Sequence, residues 1–381
     1  MAFKTLIEIL FTSFKLGLTS FGGPAAHLAY FQEEYVNRRK WLDDRSYADL
    51  IALCQFLPGP ASSQVGISIG RVRGGIAGGV LAWIGFTLPS VIALMIFALF
   101  VMQVDVSNSV WIEGLKLVAV AVVAHAILNM GKKITTDKPR IAIAITAAIV
   151  LLFYQSAWTQ IFIILLAGVV GYVIYKKEKL PEGSNIQLKL SKGLGVFSLL
   201  LFFLLLVLLP FLSNAASHLY GQLVDIFYRI GSIVFGGGHV VLPLLEREVV
   251  PTGMIGEDVF LAGYGAAQAV PGPLFTFSSY IGTASGGISG GIIATIAMFL
   301  PSFLLLIGVL PFWNTIRKKR PLRAALLGVN AAVVGLLIAA LYDPIWTTSV
   351  DSSKDFAVVI ASFSLLYFWK FLVFKSACNR A

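Results

Sequence analysis

The sequence is short of charge. Of 381 residues only 13% are Asp, Glu, Lys or Arg, about half the share carried by a soluble domain. That shortage excludes an ordinary water-soluble globule. Cysteine is nearly absent: Cys54 and Cys378 stand far apart with no metal-type spacing, so neither a disulfide framework nor a thiolate metal site follows. Cys54 reads as a small apolar packing residue. Histidine numbers four, and the acidic residues lie mostly in loops or near helix ends. No clustered His/Asp/Glu or nucleophile–base constellation marks a membrane enzyme, and no cofactor or metal is implied. A cleavable leader is not indicated either. Lys4 opens an apolar stretch, but Glu8 and Lys15 interrupt it and no small-x-small site follows.

What is present is apolar. Hydrophobic residues make up 57% of the chain, and the mean hydropathy is +0.85. The runs 76–101, 195–212, 288–312 and 356–374 reach or approach the roughly 20 residues that span a bilayer as a helix. A β-barrel would show short alternating segments instead. The pattern predicts an all-α polytopic integral membrane protein. A net charge of +10 invites a nucleic-acid reading, but the bases sit in short loops: Arg38-Arg39-Lys40, Lys132-Lys133 with Lys138 and Arg140, Lys176-Lys177 with Lys179, and Arg317-Lys318-Lys319-Arg320. That is the positive-inside pattern, and the expected surroundings are a lipid bilayer, not nucleic acid.

The chain contains one stretch twice. Phe21-Gly22-Gly23-Pro24-Ala25-Ala26-His27, then Gln55-Phe56-Leu57-Pro58-Gly59-Pro60, is followed by Phe235-Gly236-Gly237-Gly238-His239, then Gln268-Ala269-Val270-Pro271-Gly272-Pro273. Lys15 and Gly17 pair with Arg229 and Gly231. Gly74-Gly75 and Gly78-Gly79 pair with Gly286-Gly287 and Gly290-Gly291, and Pro89-Ser90 with Pro301-Ser302. Such agreement at Gly and Pro positions marks an internal duplication. The expected parts are a first repeat over 1–175, a basic connector with a linking helix over 176–213, and a second repeat over 214–381.

Loop charge orients the copies. The loop after the first motif carries Arg38, Arg39 and Lys40; its counterpart carries Glu246, Arg247, Glu248, Glu257 and Asp258. The loop at 103–109 has Asp105 and no base, whereas 314–323 is strongly basic. The loop at 131–140 is basic, whereas 343–355 holds Asp343, Asp351 and Asp355 with one Lys354. Three corresponding loops switch character, which predicts inverted-topology repeats about a pseudo-twofold axis in the membrane plane. Four candidate spans (139–153, 157–175, 194–212 and 217–236) separate an inside loop from an outside one, so one must fail to cross. The Gly-Gly segment is expected to dip to mid-depth, break and return, and residues 3–35 to do the same.

Breaks at depth are tolerated only inside protein or beside a wet cavity. A helix starting after Pro24 or Pro60 points free N–H groups and its positive dipole end at the break. Four such ends near the midplane would hold an anion. The expected site comprises both Phe-Gly-Gly and both Pro-Gly-Pro stretches, with His27, His239, Gln55 and Gln268 completing the shell. Lys15 and Arg229 are expected to supply charge, and losing either should abolish flux. Blander readings hold elsewhere. The other Gly-Gly pairs suit close helix packing, Pro89 and Pro301 suit kinks, and His125 and His218 suit hydrogen-bonded singletons.

At these motifs the sequence resembles the chromate ion transporter family in its long, two-domain form. The resemblance rests on Phe21-Gly22-Gly23-Pro24 with His27, on Gln55-Phe56-Leu57-Pro58-Gly59-Pro60, and on Gly70 with Gly74-Gly75, and it covers essentially the whole chain. The second copy departs from it: Gly238 replaces the proline, and His239 sits two positions before the counterpart of His27. The resemblance implies a cytoplasmic-membrane transporter that exports chromate and confers resistance. Coupling to a proton or to a counter-anion stays open, as does assembly as a homodimer. The residues themselves reach only a small-anion transporter. A sulfate or other oxyanion permease is the near alternative; a membrane enzyme or scaffold is disfavoured, since a scaffold has little use for paired helix breaks.

Overall fold

The computed structural model describes residues 2–21, 23–103, 110–154, 157–176, 191–216, 218–234, 241–313, 320–347 and 349–369. All of the described regular structure is helical. Proline and short polar side chains set several helix starts. α1 (Ala2–Thr19) is followed by α2 (Gly23–Phe31), whose second residue is Pro24, and by a π turn (Gln32–Arg38). α3 (Asp44–Phe56) is capped by Asp43, which accepts from the Ser46 amide. α4 (Ala61–Val101) begins directly after Pro60. α5 (Val110–Ile134), α6 (Lys138–Phe153), α7 (Ala157–Tyr175) and α8 (Lys192–Ala216) come next. The second copy supplies α9 (Leu219–Ile233), α10 (Val241–Val249), α11 (Glu257–Ala269) and α12 (Phe277–Val309), then α13 (Arg320–Ala340) and α14 (Ser353–Tyr367).

Among the described residues four stretches are long and apolar enough to cross a bilayer: Ala61–Val101, Lys192–Ser213, Leu274–Phe312 and Arg323–Asp343. Together with the all-helical architecture they make this a multi-pass membrane protein. Most of the expected connector lies outside the described residues.

Two compact units are present, and each draws on both halves of the chain. The first takes Met1–Leu99, Pro181–Gly238 and Val270–Lys318; the second takes Phe100–Leu180, His239–Ala269 and Lys319–Ala381. In the second unit α13 packs through small residues: a Cβ on Gly328 would strike the Ala167 carbonyl of α7, and one on Gly335 the Ala144 carbonyl of α6. Close backbone approach of this kind holds apolar helices together where burial from water cannot.

The first unit contains the duplicated motifs. α4 folds back on itself at Gly74-Gly75 (φ/ψ −136°/23° and 65°/−159°), and α12 does so at Gly286-Gly287 (−139°/23° and 66°/−164°). The positive φ of the second glycine suits that residue alone. Both pairs are therefore hairpin turns, where the sequence suggested only helix packing. Packing falls to their neighbours. A Cβ on Gly70 would run into the Gly78 carbonyl, and one on Gly282 into the Gly290 carbonyl. Gly17 and Gly231 match in the same way: a Cβ on Gly17 would lie 2.6 Å from the Phe86 carbonyl, and one on Gly231 would strike that of Met298. The long arms, 76–101 and 288–309, cross in opposite directions. Trp83 packs on Phe299 and Phe303, while the Met95 methyl reaches Gly291.

A charged knot ties α1 to the π turn and to the α4 reversal. Glu34 takes Arg39 at 2.7 Å, Arg38 at 3.0 Å and Lys15 at 3.7 Å; Glu8 takes Arg39 at 2.8 Å and Arg73 at 3.5 Å. Trp41 lies under both the Arg39 and Arg73 guanidiniums and stacks on Tyr35. Burial pushes the Glu34 carboxyl up, but the Arg39 hydrogen bond and the Lys15, Arg38 and Arg39 charges outweigh it and hold the carboxyl below its usual range. A depressed carboxylate stabilises the fold at neutral pH, and that stability is lost as pH falls from the ordinary carboxylate pKa through the folded value. Thermal melts of Glu34→Gln should lack this acid-side loss, on the order of 1 kcal/mol because Lys15 and Arg38 are more than half exposed. An identical acid limb in the variant and the parent would assign the effect to other groups.

Candidate functional site

The duplicated motifs meet crosswise. The Gly59 amide donates to the Val234 carbonyl at 2.6 Å, and the Gly272 amide donates to the Ser20 carbonyl at 2.9 Å. Ser20 and Val234 each immediately precede a Phe-Gly-Gly stretch in the sequence, and each follows the end of a helix. The Pro-Gly-Pro loop of one copy thus docks beside the Phe-Gly-Gly stretch of the other, twice over. Gly59 (φ 108°) and Gly272 (φ 104°) hold matching backbone conformations. The space where a Cβ would go is filled by the Ser302 hydroxyl at Gly59 and by the Ser90 hydroxyl at Gly272. The Pro-Ser pairs read as kink positions in the sequence therefore line the loops.

Three described helices start here: α2 at Gly23 and α4 at Ala61, with α12 beginning after a 3₁₀ turn (Leu274–Thr276) that follows Pro273. Their first turns bring free N–H groups. Around the first copy the side chains are buried and under-used. His27 is fully buried, with Nδ1 3.2 Å from the Ser62 hydroxyl, its ring edge-on to Phe86, and Nε2 without a partner. Gln64 Nε2 donates to the Pro58 carbonyl at 2.6 Å and to the Ser302 hydroxyl at 3.3 Å, while its Oε1 is unpartnered. The hydroxyls of Ser20 and Ser63 are buried without partners. Unpaired buried polar groups cost about 1–3 kcal/mol each, so such a cluster is suited to a ligand that satisfies it.

The second copy is different in kind. Thr276 donates to the Pro273 carbonyl, Ser278 to Phe275 and Ser279 to Thr276, all within 2.9 Å. Its hydroxyls are used up locally. Among the described residues the unpartnered hydroxyls gather at the first copy's loop and break, although the backbones at Gly59 and Gly272 match.

Other residues expected at the site lie as follows. Gln55 is exposed. Lys15, 54% exposed, pairs with Glu34 in the charged knot, and Arg229 pairs with Asp225 at 3.2 Å. Both cations are engaged in ion pairs with the protein's own carboxylates. Phe21, Pro24, Pro58, Pro60, Pro271 and Pro273 frame the breaks and loops. Gln268 belongs to the second unit, with Nε2 buried and unpartnered. Gly22, Phe235, Gly236, Gly237 and His239 lie outside the described residues. Sequence reasoning missed Ser20, Ser62, Ser63 and Gln64. A signal existed: Ser62-Ser63-Gln64 directly follows Pro60, in the first turn of an otherwise apolar helix. Among the described residues no group of three His, Cys, Asp or Glu side chains could hold a metal ion.

The second unit holds a separate acidic group. Burial, reinforced by the nearby Glu257 and Asp343, pushes the Glu246 carboxyl up to about 7 against the pull of Arg247. With its amide oxygen turned towards that guanidinium, Gln160 accepts from Arg247 Nε and Nη1 at 3.2 and 3.1 Å.

The comparison with known families agrees with the doubled geometry. The family model described as chromate transporter matches residues 7–172 and again residues 221–378. The chain belongs to the chromate transporter family. Chromate transporter relatives cover nearly its whole length. A chromate transport protein of Pseudomonas aeruginosa is 26% identical over 376 residues, covering 95% of this chain and 87% of that protein. One of Cupriavidus metallidurans is 26% identical over 374 residues, with 96% and 89% covered. An uncharacterized transporter of Methanocaldococcus jannaschii is 28% identical over 369 residues, with 95% and 89% covered. No solved structure matches the chain.

Proposed function

We propose that this protein is a secondary transporter that carries chromate, and tetrahedral oxyanions of its kind, across the cytoplasmic membrane, with export of chromate and resistance to it as the outcome. The observation that carries this reading is the crosswise docking of Gly59 on Val234 and Gly272 on Ser20, beside the unpartnered Ser20 and Ser63 hydroxyls and His27 Nε2. Neutral donors and helix N-termini suit a dianion that only accepts hydrogen bonds. Among the described residues no carboxylate bonds to this cluster. That suits chromate and sulfate, since a carboxylate would repel a dianion, whereas the proton of a phosphate would have Gln64 Oε1 as its acceptor. The family relationship places chromate first; sulfate, similar in shape and charge, is the competitor to test.

Alternating access follows from inverted repeats. The reversed loop charges support that relationship, as do the opposed long arms and the matched Gly74-Gly75 and Gly286-Gly287 turns. Cysteine labelling should place the 36–45 and 244–258 loops on opposite faces; labelling on one face would end the inverted reading.

The test is radiolabelled chromate and sulfate flux in proteoliposomes, with a pH gradient imposed in each polarity. Saturable chromate flux, competed by sulfate, is expected, and His27→Ala should lower it about tenfold or more through the lost donor. The gradient arms identify proton coupling or anion exchange. Folded protein that moves neither anion would overturn the proposal.

A further inference from the structure

We propose that Arg71 is a second anion-binding point on the transport route, about two helical turns from the crossed loops and present in the first copy only. The inference rests on the oxyanion-transport reading above. Gln64, Ser68 and Arg71 are spaced by four and three residues and so share one face of the first arm of α4. Arg71 Nη1 is a buried donor without a partner, the Ser68 hydroxyl has only the buried Cys54 thiol beside it, and Gln64 Nε2 anchors the stripe to the docked loop. The stripe starts where Gln64 meets Ser302, at the docked loop. It ends in a small cavity between that arm and α12, lined by Ile67, Ser68, Arg71, Gly79, Phe303 and Leu310. Seven residues of helix separate its ends by about 10 Å.

The charge at the far end of the stripe is unusual. Arg73, two residues on, is paired with Glu8; Arg71 has no carboxylate partner among the described residues, and its Nη1 is buried without one. A half-buried guanidinium against apolar walls is costly without a counter-charge, and a planar fork of donors is matched to two oxygens of an oxyanion. In the second copy the glycine register puts Thr283 at the equivalent position, and its hydroxyl donates to the Ser279 carbonyl at 2.7 Å. That copy has no cation at this position. Arg71 therefore acts on one face only, the face of the Gly74-Gly75 turn, where the basic knot lies. An anion passing between that face and the deep site would be taken up by Arg71, then by the Ser68 hydroxyl.

Flux of chromate and of sulfate is measured against concentration from each face of oriented proteoliposomes, for the parent, Arg71→Gln, Arg71→Lys and Ser68→Ala. Monodispersity and melting temperature confirm folding in each. Arg71→Gln should raise KM about 10- to 100-fold from the turn-side face, as expected for losing a charge-assisted pair, with a much smaller change from the other. Arg71→Lys should fall between, keeping charge without the fork. Three results overturn the proposal: KM within twofold of the parent from both faces, an equal fall in Vmax for both Arg71 variants with KM unchanged, or loss of co-purified anionic phospholipid with KM unchanged. In each of these the parent still transports, so the oxyanion reading survives. A parent that moves neither anion removes both readings together.

Discussion

Replacing Gly59 with alanine is expected to abolish oxyanion flux and to lower stability by about 2–4 kcal/mol, from backbone strain and overpacking together. Two costs coincide at this residue. Its φ of 108° is one that L side chains rarely adopt, and a Cβ would collide with the Ser302 hydroxyl and lie 2.9 Å from Gln64 Nε2. Relief requires the loop to move, and movement breaks the 2.6 Å bond from the Gly59 amide to Val234. Gly23→Ala is the control. Gly23 also has positive φ, 79°, but nothing lies within 4 Å of its missing Cβ, so only strain of about 1–2 kcal/mol is added. Flux and melting temperature, measured on both variants, separate the effects. If Gly59→Ala transports like its parent, the docked loops are not part of the transport machinery. Gly272→Ala tests the mirrored contact, where the Ser90 hydroxyl would lie 2.9 Å from the new Cβ.

Gln64→Leu should cut flux about 10- to 100-fold while costing about 1–3 kcal/mol of stability. The substitution keeps the volume close to that of Gln. It removes the donor that satisfies the Pro58 carbonyl at 2.6 Å and the bridge to Ser302 at 3.3 Å. The freed carbonyl is then buried unpaired, which accounts for the stability cost. The flux cost comes from the loosened Pro-Gly-Pro loop beside which an anion would sit. Gln64→Glu separates the two roles, since an added negative charge repels the anion whatever its effect on packing. Unchanged KM and Vmax in Gln64→Leu would take this side chain out of the route and leave it a loop brace.

Much of the architecture was legible because the constraints on it are local. A 26-residue apolar arm after Gly75, a proline opening α4, and Gly-Gly pairs at matching positions follow from spans, amide chemistry and chirality, all properties of short stretches. The helix-start residues Pro24 and Pro60 were read correctly on that ground, and the packing role of Cys54 is seen in its complete burial. The side chains were harder. Lys15 was expected near the breaks because a cation within an apolar run needs a task; its Nζ reaches Glu34, on the π turn beyond α2, instead. No sequence spacing relates those two residues, since the way α2 and the π turn pack back on α1 sets where Glu34 falls.

By itself the sequence determined that the chain is duplicated, helical and membrane-spanning, and that its helices break at Phe-Gly-Gly and Pro-Gly-Pro. Glycine and proline act through their own backbone, so their effect is written locally. Only the tertiary structure decided that each loop docks beside the Phe-Gly-Gly stretch of the opposite copy, that Ser302 and Ser90 fill the space beside Gly59 and Gly272, and that the Ser20 and Ser63 hydroxyls and His27 Nε2 are left unpaired around the first copy while Thr276, Ser278 and Ser279 of the second bond locally. Hydrogen-bond satisfaction depends on groups hundreds of residues apart, and it exists only once the chain has brought them together.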